Sequence, residues 1–129
     1  LIMENVTILF SGLVVGIIVF HTAIIAPTVF RSLTLDDAGT FLRTVFPKFF
    51  TLITIVCSVN VAFALILGQT SIAVMVGVSA MLMVIAYHLI PITNRSRDEG
   101  QVQRFKLLHT ISVLLTVSVL LMNLGVVFL

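Results

Sequence analysis

The charged residues of this chain fall in tight clusters, and the gaps between them dictate what it can fold into. The seven bases are Arg31, Arg43, Lys48, Arg95, Arg97, Arg104 and Lys106; the five acids are Glu4, Asp36, Asp37, Asp98 and Glu99. Residues 5–30, 49–94 and 107–129 carry no formal charge. A helix needs roughly 20 apolar residues to cross a hydrocarbon layer of about 30 Å. The first and last runs each supply one crossing. The middle run is long enough for two and is broken by the turn-forming Gly68-Gln69-Thr70-Ser71. The predicted spans are about 6–30, 49–67, 71–92 and 105–128, which form one all-α domain over 1–129, an up-down four-helix membrane bundle.

Composition closes the other routes. Sixty percent of the residues are hydrophobic and 9% are charged, and mean hydropathy is +1.27. A soluble domain carries about 25% charged residues. In water this chain would expose large apolar patches, so a free soluble domain is excluded. A disordered chain is excluded by the same hydrophobicity.

Four spans also set a topology. Arg31, Arg43 and Lys48 fall in the first loop, and Arg95, Arg97, Arg104 and Lys106 in the third, while the second loop has no base. Short loops rich in Lys and Arg stay in the cytoplasm. Loops 31–48 and 93–106 are therefore expected inside and both termini outside. The basic balance follows from this topology and gives no support for a nucleic-acid partner; the expected partner of the basic rim is the lipid bilayer. The first span reads as retained, because Glu4 precedes it and its apolar stretch is longer than a signal's. A bacterial inner membrane is the expected location. Leu1 and Ile2 precede Met3, the expected start.

Within the first loop, Thr34-Leu35-Asp36-Asp37 reads as a capping box. Leu35, Ala38, Phe41, Leu42, Val45 and Phe46 follow at helical spacing. They predict a short helix over 35–46 lying in the interface, with Pro47 turning the chain into span two. Residues 94–100 read as a polar turn.

A polar side chain in lipid is costly unless it faces protein, so polar positions mark the inward faces. At about 100° per residue, Phe105, His109, Ser112, Thr116 and Asn123 share an arc of about 60° on span four, expected to face the interior. Span three gathers Ala73, Gly77, Ala80, Val84 and Pro91 on one face, with His88 beside it. His88 and His109 both lie near the cytoplasmic ends of their spans. Gly12, Gly16, Ala23 and Pro27 form a small-residue face on span one. Small residues permit close helix approach, so this face is expected to pack inside. His21 then points the other way, a partner-facing candidate. Pro27 is expected to kink the helix. On span two Asn60 opposes Thr51, Thr54 and Ser58. Hydroxyls bond back to their own helix, but an amide does not hide so easily, which places Asn60 inward.

No Asp or Glu lies within a span. That removes paired-carboxylate catalysis and a Ser/His/acid triad, and it weighs against a proton- or cation-coupled exporter. Cys57 has no cysteine to pair with and no metal-ligand spacing to the histidines. The chain is expected not to be an enzyme. Three function classes remain. The leading one is an accessory subunit packing against a larger membrane complex or against its own copies. The second is a carrier or binding module whose pocket is lined by Asn60, His88, His109, Ser112 and Thr116. The third is a haem- or copper-linked redox protein using His88 and His109, with Met75, Met81, Met83 and Met122 as soft donors. The leading reading takes no cofactor or metal.

The motifs have a recognisable order. Phe30-Arg31-Ser32-Leu33 closes span one after Ala26-Pro27. Phe46-Pro47-Lys48-Phe49-Phe50 opens span two, and Asn60 follows. Pro91 and Asn94 close span three, and Phe105, His109 and Ser112 open span four. This order resembles the transmembrane-protein-205-like family, domain of unknown function 4149, over about residues 10 to 125. The resemblance implies a four-span membrane protein and no defined activity. It carries the family's positions to Pro27, Phe30, Phe46, Pro47, Asn60, Asn94, His109 and Ser112. Where the family pattern leads one to expect an Asn after His-x-x-Ser, Thr116 stands, and His21 lies outside the pattern.

Overall fold

The computed structural model describes residues 2–129; Leu1, ahead of the expected start at Met3, lies outside them. No strand occurs among the described residues. A 3-10 turn (Met3–Asn5) leads into α1 (Val6–Phe20), a π turn (His21–Ile25) and α2 (Ala26–Ser32). Then come α3 (Leu35–Ile66), α4 (Thr70–Asp98), α5 (Val102–Gly125) and a last 3-10 turn (Val126–Phe128). Four helical stretches, Met3–Ser32, Leu35–Ile66, Thr70–Asp98 and Val102–Phe128, are long and apolar enough to cross a membrane. α4 packs between α3 and α5, and α1 closes the ring by packing on α3 and α5.

The two sharp reversals use the same device. Gly68 (φ +69°) and Gly100 (φ +70°) take the left-handed conformation that side chains resist. At the first, the Gln69 N–H reaches the Ala64 carbonyl (2.8 Å) and the Gly68 N–H reaches Leu65 (3.2 Å). At the second, Gln101 reaches Ser96 (2.9 Å) and Gly100 reaches Arg97 (3.2 Å). Each is a Schellman closure that satisfies the last carbonyls of a helix before the chain turns back.

Two local expectations are corrected. Thr34 does cap α3, accepting from the Asp37 N–H, but residues 35–46 are not a separate interfacial helix. α3 runs unbroken through Pro47. Proline removes one helical hydrogen bond, a loss that membrane helices tolerate when neighbours hold the segment. Here Ala38 and Leu42 bury against Val29, with Ile25 and Phe46 beside them. Arg43 Nη1 and Nη2 grip both oxygens of Asp98 on α4, the first at 3.1 Å. The same clamp explains the second correction: residues 94–98 continue α4 rather than turning. Ser96 is buried there, and Arg97 lies over the Phe105 ring at 5.8 Å.

Packing is layered. Val14, Ile18, Phe49, Phe50, Ile53, Cys57, Met83, Ala86 and Val119 fill the middle. Ala64, Ile72, Ala73, Val76 and Val126 close the end that holds the Gly68 turn and both termini. Val29, Ala38 and Leu42 sit at the opposite, basic end.

The inward face of α1 is the reverse of the expected one. Thr7, Ser11, Val14, Ile18 and His21 are buried. Gly12 and Gly16 are exposed, with nothing within 4 Å of where a Cβ would lie. Apolar side chains gain no transfer free energy by leaving lipid, so polar groups seeking partners decide which face turns in. On span three Ala73 is buried and Gly77 and Ala80 are half-buried, but Val84 and Pro91 are exposed. The buried line there runs instead through Val76, Ser79, Met83 and Ala86.

Candidate functional site

Three buried polar positions stand out inside the bundle. Asn60, on α3, is 1% exposed. Its Nδ2 donates to the Thr7 carbonyl and to Ser11 Oγ, each at 3.1 Å. The Thr7 hydroxyl in turn donates to Gln69 Oε1 at 2.8 Å, and Gln69 Nε2 donates to the Glu4 carbonyl at 3.2 Å. This chain of bonds ties the start of α1 to the turn between α3 and α4. Asn123, on α5, donates to Ser79 Oγ (3.2 Å) and to the Val119 carbonyl (2.8 Å). Ser79 passes its own proton to the Met75 carbonyl at 3.0 Å. Both amide oxygens, Asn60 Oδ1 and Asn123 Oδ1, are buried without a partner.

The third position is His21. It is 7% exposed and does not face lipid, which corrects its expected outward direction. Its ring stacks on Phe49 at 4.3 Å and meets Phe46 edge-on at 5.1 Å. Nε2 is buried with no hydrogen-bond partner. The π turn that begins at His21 has a local cause. Pro27 has no N–H, and in α register its ring would press on the carbonyl four residues back. The chain widens one turn instead, and the Ala26 N–H bonds the His21 carbonyl. π turns of this kind recur at functional positions.

The five pocket candidates do not assemble. Asn60 faces α1. Thr116 is buried, but its hydroxyl is spent on the Ser112 carbonyl of its own helix at 2.8 Å. Ser112 is half-buried. His88 is exposed on α4 against Tyr87, ring centroids 5.5 Å apart. His109 is exposed on α5, stacked on Phe105 at 5.8 Å. His88 and His109 thus keep different ring partners on different helices. Among the described residues no group of three or more His, Cys, Asp or Glu is placed to hold a metal.

Reading the sequence picked out Asn60 and Asn123 but missed Thr7, Ser11, Gln69 and Ser79. A signal existed for the first two. Thr7, Ser11 and His21 share one arc of about 80° on span one at the helical period.

A bundle of four membrane-spanning helices with a few amides and a histidine in its interior defines a small integral membrane protein. Its family follows from a direct match: the model for the domain of unknown function DUF4149 fits residues 9–128, so the chain belongs to the DUF4149 family. No curated protein and no solved structure matches it.

Proposed function

We propose that this chain is an accessory membrane subunit, without chemistry of its own, that packs against further membrane-embedded helices. The observation that carries this reading is the outward face of α1. Gly12 and Gly16 stand open there, while the polar residues of the same helix are used inside. Two glycines at this spacing let another helix approach to backbone contact, and no helix of this chain takes the position. Exposed Leu9, Leu13 and Phe20 flank it as ridges for a partner's grooves. The lack of any acid within the apolar parts of the spans fits a packing role. In the same proposal the basic loops lie in the cytoplasm.

The test is native mass spectrometry after gentle extraction from the protein's own membranes. The wild type is expected within a stoichiometric assembly. The Gly12→Leu/Gly16→Leu double variant fills only open space, so it should fold and lose that assembly. A wild-type chain that runs alone at 14.1 kDa would sink the proposal.

A further inference from the structure

A groove of about 460 Å³ runs along the outer junction of α3 and α4, lined by Pro47, Lys48, Thr51, Leu52, Ile55 and Tyr87. It continues into a second hollow of about 240 Å³ that adds Thr54, Val84 and His88. Three hydrogen-bond donors stand along it: the Lys48 ammonium, the Tyr87 hydroxyl and the His88 imidazole. None of them has a hydrogen-bond or ion-pair partner among the described residues, although His88 touches the Tyr87 ring. The Thr51 and Thr54 hydroxyls give their protons to the Pro47 and Phe50 carbonyls of α3. No acid lines the groove. Asp98, beyond its basic end, is already held by Arg43. The groove is therefore a mainly apolar strip, walled by Leu52, Ile55 and Val84, with an uncompensated cation at one end and two polar tips beside it.

We infer that this groove seats one anionic phospholipid. Lys48 is the last charged residue of α3 before its charge-free run, and Ile55 lies seven residues further in, about 10 Å along the helix axis. That is the layout of a lipid in the adjoining leaflet: charge at the surface, acyl chain running inward. Lys48 takes the head-group phosphate as a point charge. Tyr87, beside Thr51 and Ile55, lays its apolar ring along the chain and offers its hydroxyl to the ester groups below the phosphate. Leu52, Ile55 and Val84 take the upper acyl chain. The groove lies on different helices from the Gly12–Gly16 face, so this inference stands apart from the accessory role.

The experiment is native mass spectrometry of the whole chain released from detergent with equimolar phosphatidylglycerol and phosphatidylethanolamine. The wild type is expected to keep phosphatidylglycerol in preference. Lys48→Gln should lower that retained population about fivefold. Lys106→Gln removes an equal charge from α5, outside the groove, and should leave it unchanged. Tyr87→Phe should lower it less than Lys48→Gln does. Soluble glycerophosphate should not displace the bound lipid. Equal retention of the two lipids, equal effects of Lys48→Gln and Lys106→Gln, or displacement by glycerophosphate would each overturn the inference.

Discussion

His21 illustrates how a single side chain can be well packed and badly satisfied at once. Its ring fills the space beside Phe49 and Phe46, while Nε2 faces protein with no acceptor or donor to meet it. A buried polar atom left unpaired costs about 1–3 kcal/mol. The shape of the ring and its polarity therefore pull in opposite directions, and two substitutions separate them. His21→Phe keeps the stack and removes the orphan, so it is expected to equal or exceed wild-type stability by about 1 kcal/mol. His21→Ala removes the stack and should be less stable than wild type. Reversible unfolding in mixed micelles measures both. A His21→Phe variant clearly less stable than wild type would mean that Nε2 has a partner in the membrane.

At the scale of the element, α3 makes the sharpest statement. Its portion before Pro47 is continuous with the span that follows, held by the Ala38 and Leu42 packing and the Arg43–Asp98 pair. Spin labels at Thr40→Cys and Ala62→Cys, in a Cys57→Ala background, should then be about 33 Å apart along the axis. A right-angle bend at Pro47 would bring them to about 25 Å. The capping of this helix was legible from Thr34 to Asp37, because a cap is local chemistry. Its continuity was not legible, because Pro47 reads as a stop until the partners of Ala38 and Arg43 are known. The spans were legible because charges cannot hide in hydrocarbon. Their inward faces were harder to read. When both sides of a helix are apolar, amphipathicity carries little information, and the small-residue rule turned α1 the wrong way. Asn60 was placed correctly because its amide needs a partner outside its own helix. Thr116 behaves in the complementary way: its hydroxyl found an acceptor within α5 and needs no partner across the bundle.

For the molecule as a whole, the ends are unlike. The Gln69 network and the Val126 packing gather both termini and the Gly68 turn at one end, and the Arg43–Asp98 pair joins α3 to α4 at the other. Sidedness can be tested directly. In intact cells an impermeant maleimide is expected to label Thr70→Cys from outside and to reach Gln103→Cys only after permeabilisation. The reverse pattern would invert the proposed orientation, and labelling of both from outside would contradict the placement of the two positions at opposite ends. Between the two ends, Val14, Ile53, Cys57, Met83 and Val119 meet at mid-depth with 0% exposure. That layer is made of packed side chains with no charged group among them. A membrane voltage is worth about 2.3 kcal/mol per elementary charge per 100 mV. Across the middle of this bundle it falls over an uncharged layer, so the voltage finds no side chain there to pull on.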